Sequence, residues 1–409
     1  VSAGAPSTSV GSLERRYLSG TFAELCRIES PSGSERGCAE RVIAELRAIG
    51  VEVEEDGAGE LTGSDCGNLL ARVVAAAPTD STLSTAMADP RAPDGPSRRS
   101  LLLCAHLDTV PLQAPIEPVL VEGAWENANA GILGADNKAA IAVMLTLARH
   151  IRQQGTPVDV ELLFTVGEEI ALAGSHVFDA SRLRSDFGYV FDHATPIGEV
   201  VIASPTQYRI DASFRGAAAH AGIHPEQGRS AILAAARAIA AMPHGRLDEQ
   251  TTVNVGTISG GTAMNVVPEH CSLVAEVRCV EEERAETLAG ELVDRIHEAA
   301  NLPDCDCDVD VSVQRTFSGF RVSPSSEPLR VAEAALRACG HEPVRISSGG
   351  ASDANALLSQ GFHTVNLANG TERAHEPGER VTVAALEEML DVALALLDET
   401  AALSPGAAL

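Results

Sequence analysis

The chain has 409 residues, 45% of them apolar, which suits two or three domains and argues against a mostly disordered polymer. Its 30 Lys and Arg against 57 Asp and Glu leave a formal charge of −27, the wrong sign for a nucleic-acid surface or an anionic membrane. Aromatic residues, 3% of the chain, are too sparse to build stacking platforms for bases or sugars.

In chain order, Leu13–Ile28 and Ser34–Ile49 read as amphipathic helices; the second follows a Pro-Ser-Gly-Ser turn and ends at Gly50, a natural C-cap. Val51–Glu55 and Asn68–Ala75 read as strands. Residues 76–99, rich in Pro, Ser, Thr and Asp, predict a long mobile surface loop. Leu101–His106, Val158–Thr165 and Tyr189–Phe191 are apolar runs of the kind buried in parallel sheets, and Asn137–Gln153 between them is helical in spacing. Near Thr206 the texture changes. Gln207–Arg215, Thr251–Ile258, Ser272–Val280 and Asp306–Gln314 alternate, while Arg229–Met242 and Glu282–Ala300 are helical. That β-α-β-β-α-β order predicts a ferredoxin-like α+β insert. From Phe317 the first texture resumes and ends in a helix at Val383–Leu403. The expected organisation is an α/β catalytic domain with a mixed sheet, split into 13–205 and 317–403 by an insert at 206–316.

Nine cysteines, an odd number without a C-x-x-C pair, predict reduced thiols and a cytoplasmic setting. Cys305-Asp306-Cys307 is a weak metal or redox candidate and reads as an exposed turn. The first twelve residues show no basic segment followed by an apolar one, so no signal peptide is expected, and no apolar run reaches the roughly 18 residues of a membrane span.

Five short segments carry the chemistry. Cys104-Ala-His106-Leu-Asp108 places an imidazole and a carboxylate two residues apart, on one face of a strand. Leu133-Gly-Ala-Asp136-Asn137-Lys138 puts an acid at a helix mouth and contains the only lysine of the chain. Thr165-Val-Gly-Glu168-Glu169 sets two acids side by side, which calls for a cation or a shared proton. Tyr189-Val-Phe-Asp192 ends an apolar strand in an acid, and Arg373-Ala-His375-Glu376-Pro377 supplies a second imidazole. Singly each is ordinary: a strand-end Asp caps a turn, a Glu pair is a solvated face, a lone His sits on a surface or in a core. Together they are the His/Asp/Glu donor set of a dinuclear zinc hydrolase, with Glu168 spare as general base.

In this order, the segments CAHLDTV, ILGADNKAA, VGEEIALAGS, the Asp192 strand and Ala374-His375-Glu376 resemble the five metal-site motifs of the zinc aminoacylase/carboxypeptidase/aminopeptidase superfamily. The stretches SPTQYRIDASFRGAAAHAGIHPEQGRSAI, GGTAMNVVP and SSGGASDANAL are similar to its peptidase T-like branch, and the likeness runs from about Leu13 to Leu397. The resemblance implies a metal-bearing α/β domain with an inserted lid that often dimerises. It implies that His106 and Asp192 hold one zinc, Glu169 and His375 the other, and that Asp136 bridges the two. It implies Glu168 as general base and Asp108 as the residue that orients His106. His220 of the lid is implied to polarise the scissile carbonyl. Asn265 and Arg278 are implied to bind a substrate carboxylate, and the loop with Gly350 to approach the substrate. Asn137 stands where many relatives carry a second acid. The expected protein is a homodimeric, cytoplasmic, dinuclear zinc peptidase of the tripeptidase type. It would act on short peptides with a free α-amine, and Co²⁺ or Mn²⁺ could replace zinc. The alternative is an N-acyl amino acid deacylase or carboxypeptidase of the same superfamily.

Overall fold

The computed structural model describes residues 11–74 and 98–403. The loop expected at 76–99 lies almost wholly outside them. The chain forms two compact units. Among the described residues, one is built from those up to Ile202, from Val322–Ile346 and from Ser352 to Leu403; the other is Ala203–Arg321 with Ser347–Ala351.

The first unit is organised on a mixed sheet. Its strand order is Val53–Glu55, Leu69–Val73, Asp159–Thr165, Ser100–His106, Phe187–His193, Thr364–Ala368 and Glu199–Ser204. Asp159–Thr165, Ser100–His106, Phe187–His193 and Thr364–Ala368 run parallel; the flanking pairs are antiparallel. These central strands are buried on both faces, which is why they read as unbroken apolar runs. Leu101, Leu103 and Ala105 join the large core beneath helices Ser12–Cys26, Ala135–Gln154 and Val383–Ala401. The alternate residues, Cys104 and His106, point the other way, where Asp353 Oδ2 lies 3.7 Å from Cys104 Sγ.

A small second sheet escaped the sequence reading. The hairpin Pro118–Val121/Ala124–Asn127 turns at Glu122 and Gly123, both with positive φ (48° and 84°), and pairs with Arg380–Thr382, which pairs with Thr371–Glu372. Strands of two to four residues carry too little alternation to register. They nevertheless pin both ends of the loop that carries His375.

The second unit is a ferredoxin-like sheet under two helices, Ala231–Ala241 and Glu282–Ala300. The strand order is Gly245–Asp248, Thr251–Gly260, His270–Cys279, Thr206–Arg215, Asp308–Phe317, all antiparallel. Ile210, Phe214, Leu273, Val277, Leu292 and Ile296 form its core. The short edge strand Gly245–Asp248 is additional to the expected pattern. Cys305 and Cys307 correct an expectation: both are buried in this core, and Cys307 Sγ donates to the Cys305 carbonyl, so the pair is packed rather than an exposed turn.

Candidate metal centre

Parallel pairing brings the chemistry to the carboxyl ends of the central strands. His106 pairs with Thr165, three residues before Glu168, and Cys104 pairs with Val190, which sets His106 and Asp192 at one level. Asp136 enters from the start of helix Ala135–Gln154, and the Asp136–Asn137 peptide is cis. His375 comes from the loop between Thr371–Glu372 and Arg380–Thr382, with φ of +68°.

The two carboxylate oxygens of Asp136 face different partners. His106 Nε2 is 3.5 Å from Asp136 Oδ1 and 3.4 Å from Asp192 Oδ1. His375 Nε2 is 3.3 Å from Asp136 Oδ2 and 2.8 Å from Glu169 Oε1. Two donor groups result, His106–Asp136–Asp192 and Asp136–Glu169–His375, in each of which the ligand atoms lie within 4.8 Å of one another. His106 with Glu168 and Glu169 makes a third such group.

These residues fit divalent cations. Asp136 Oδ1 and Glu169 Oε1 are buried and accept no hydrogen bond, although imidazole nitrogens sit close by. Buried oxygens without a donor, in groups whose ligand atoms crowd within 4.8 Å of one another, are what a carboxylate-and-imidazole metal site requires. Four carboxylates, Asp136, Glu168, Glu169 and Asp192, meet two imidazoles. Even two imidazolium ions leave an excess of negative charge in a mostly buried place, which is costly unless a cation compensates it.

The ionisation of the site follows from that excess. Burial raises the Glu168 carboxyl well above its ordinary range, and Asp192 adds to the rise. Asp192 is likewise raised well above, first by burial. Burial opposes a charged His106, yet the surrounding Asp192, Asp108 and Asp136 outweigh it and raise the imidazole well above its usual value. His375 is raised to about 10, mainly by Asp136 and Glu169. Asp136 is held low, its burial overridden by the two histidines.

Around this centre lies a layer of buried acids. Asp108 touches His106, with Oδ1 3.3 Å from Nδ1, but the ring's hydrogen bond at Nδ1 is with the Asp108 main-chain carbonyl at 3.0 Å. The Asp108 carboxylate accepts from the Glu168 and Glu169 N–H groups (3.0 and 3.1 Å) and from Ser32 Oγ (2.7 Å). Glu35 accepts from Gly167 N at 3.1 Å and Ser64 Oγ at 2.7 Å. Glu379 accepts from Leu133, Gly134 and Asp136 N–H groups. The sequence reading missed Glu35, Glu379 and Asp353. Main-chain donors leave no residue-type signature, so nothing in the pattern pointed to the first two.

The remaining candidates belong to the second unit. His220 is exposed and bridges to Val266; Gly222 N–H donates to its Nδ1 at 3.2 Å, which leaves the neutral ring's proton on Nε2. The Asn265 carbonyl accepts from Ala221 N at 2.9 Å. Arg278 donates to the Gly349 carbonyl at 3.1 Å, pairs with Glu276 at 3.2 Å, and lies over the Phe317 ring. It lines a cavity of about 250 Å³ with Arg246, Gln250 and Ser348. The Gly350 carbonyl accepts from Ser204 Oγ.

Comparison with known proteins bears on this centre. Residues 206–302 match the family model of the peptidase dimerisation domain, and residues 86–208 that of peptidase family M28. The chain is 32% identical to the Bacillus subtilis protein YqjE over 95% of its own length and 99% of that protein's. Among solved structures, the aminopeptidase PepT of Bacillus cereus is 33% identical, covering 95% of this chain and 99% of its own, with a TM-score of 0.81. A tripeptidase from Staphylococcus aureus is 30% identical, covering 95% and 98%, with a TM-score of 0.84. The fold, the ordered motifs and these relatives agree, and the chain belongs to the peptidase T-like branch of the zinc aminoacylase/carboxypeptidase/aminopeptidase superfamily, a family of metallopeptidases.

Proposed function

We propose that the protein is a co-catalytic dinuclear zinc aminopeptidase of the tripeptidase type, acting on short peptides with a free α-amine. The observation that carries the reading is Asp136, whose two oxygens face two separate donor groups. His106 and Asp192 would hold one zinc, Glu169 and His375 the other, and Asp136 both. When bound, such cations supply Lewis acidity toward the scissile carbonyl and acidify the attacking water. Glu168, left spare by the ligand assignment above and raised by burial, takes the water proton and returns it to the leaving amine. Asp108 fixes the Glu168 main chain while it does so.

The lid contacts rest on the resemblance. His220, with its proton on Nε2, is suited to donate to a developing oxyanion. Asn265, Arg278 and the Gly350 loop are assigned to the substrate carboxylate end. A homodimer is proposed through the second unit. Its Thr257–Gly260 edge pairs on one side only among the described residues, and Ile258 and Met264 beside it are 50% and 100% exposed. A cytoplasmic setting is proposed on the thiols: all nine are unpaired and eight are buried. No described helix is long and apolar enough to cross a membrane.

The test compares kcat/KM for a tripeptide and its N-acetyl form on zinc-loaded enzyme of measured stoichiometry. About two ions per chain and a sharp loss on acetylation are expected. Equal rates, or preference for the blocked peptide, would replace this reading by the deacylase or carboxypeptidase. No bound metal and no metal-restored activity would remove both.

A further inference from the structure

We propose that Glu379 is a positioning residue that holds Asp136 and His375 in one ligand group by tying their two loops together through the main chain. The inference rests on the dinuclear reading above and adds a residue that reading does not use.

His375 needs an anchor. Its side chain is 49% exposed, and its backbone has φ of +68°, with Arg373 at +57°; side-chain-bearing residues rarely hold that region unless the surroundings enforce it. From Arg373 to Glu379, only Glu379 is buried, at 1% exposure. The loop therefore has one deep attachment, four residues past its ligand.

That attachment reaches the segment of the other ligand. Glu379 Oε2 accepts from Leu133 N and Gly134 N, both at 2.8 Å, and Oε1 accepts from Asp136 N at 2.9 Å. These N–H groups lie ahead of the regular turns of helix Ala135–Gln154, in a stretch where Asp136 and Asn137 leave helical φ/ψ, so the carboxylate supplies acceptors to main-chain donors outside the regular helix. Both oxygens are engaged by donors, so an amide cannot replace the carboxylate: a Gln side chain would aim its NH₂ at one of the N–H groups. Charge and geometry are both required, and the acid reaches the Asp136 segment through main-chain N–H groups.

The arrangement predicts an asymmetric defect. The Asp136–Glu169–His375 group has two of its three members on the segments Glu379 joins; the His106–Asp136–Asp192 group has one. The probe is Co²⁺ titrated into metal-free protein, followed by calorimetry and by the visible absorption of the bound ion. For Glu379→Gln, one binding event is expected to weaken about 10–100-fold, the range for residues that orient metal ligands, while the other stays within about threefold of wild type. Glu379→Asp keeps the charge but is a methylene short, and is expected to show the same one-sided weakening to a smaller degree. It also serves if the Gln variant does not fold. Equal weakening of both events with a lowered Tm of the metal-free protein would show a purely structural acid, and unchanged affinities would show no role; either overturns the proposal. Wild-type protein that takes up no Co²⁺ overturns the dinuclear reading, and this inference with it.

Discussion

Asp108 divides two oxygens among three donors, and two of those donors are the N–H groups of Glu168 and Glu169. An amide there keeps the shape but sets an NH₂ against an N–H. Asp108→Asn is therefore expected to lower kcat by about 10–100-fold with little change in KM, because the turn that presents the base shifts while the substrate surface does not. Glu168→Gln should keep its metal content and lose about 10²–10⁴-fold in kcat, measured in the same steady-state assay. A Glu168→Gln enzyme with near-normal kcat would leave the base unassigned. The candidate donors His106, Asp192, Glu168 and Glu169 were legible in the sequence because they stood at or just past the ends of apolar strands, where sheets hold their sites; the structure brings them near Asp136 and His375. Glu35 and Glu379 were not legible, since the main-chain donors Gly167 and Gly134 that they meet lie 132 and 245 residues away in the chain. Asp353, fully buried and 2.5 Å from Thr165 Oγ1, sits at the start of a helix, where an acid needs no other explanation.

Helices report the same contrast between local pattern and distant partner. Ser12–Cys26, Ala135–Gln154 and Val383–Ala401 were visible from spacing, but not the polar contacts that join them. Glu14 Oε1 lies 2.8 Å from His150 Nδ1, and Arg15 pairs with Glu387 and Asp391. Burial alone would raise the Glu14 carboxyl; its bonds to His150 and the Gly11 N–H outweigh that and lower it. A carboxyl that titrates lower in the folded chain than in the unfolded one stabilises above its ordinary pKa of 4.5, and the gain is lost as pH falls through the lower folded value. Glu14→Gln should thus lower stability by about 1 kcal/mol near pH 7, with the two proteins converging in acid. Thermal melts from pH 7 to 3 check this; a deficit that persists below the carboxylate range would assign the effect to packing instead. The hairpin Pro118–Asn127 was invisible for a different reason. Its strands are short, and their partners come from the far end of the chain.

For the whole molecule, light scattering at micromolar concentrations should report a dimer, since an uncovered sheet edge with exposed Ile258 and Met264 invites isologous pairing. A monomer throughout that range would remove the proposed interface. The order of the strands in the first unit has a consequence for how the chain is made. Thr364–Ala368 lies between Phe187–His193 and Glu199–Ser204, although it is synthesised more than 150 residues after them. Until it emerges from the ribosome, the sheet has a gap beside the Asp192 strand, and both strands flanking the gap present unpaired edges. His375 follows later still. The Ala203–Arg321 segment has all five strands and both helices of its own sheet before Thr364–Ala368 is made. A growing chain can therefore pair the five strands of its second unit while the sheet of the first is still open. The proposed donor set is complete only once His375 has been made, so a chain that stops before it lacks one member of the Asp136–Glu169–His375 group.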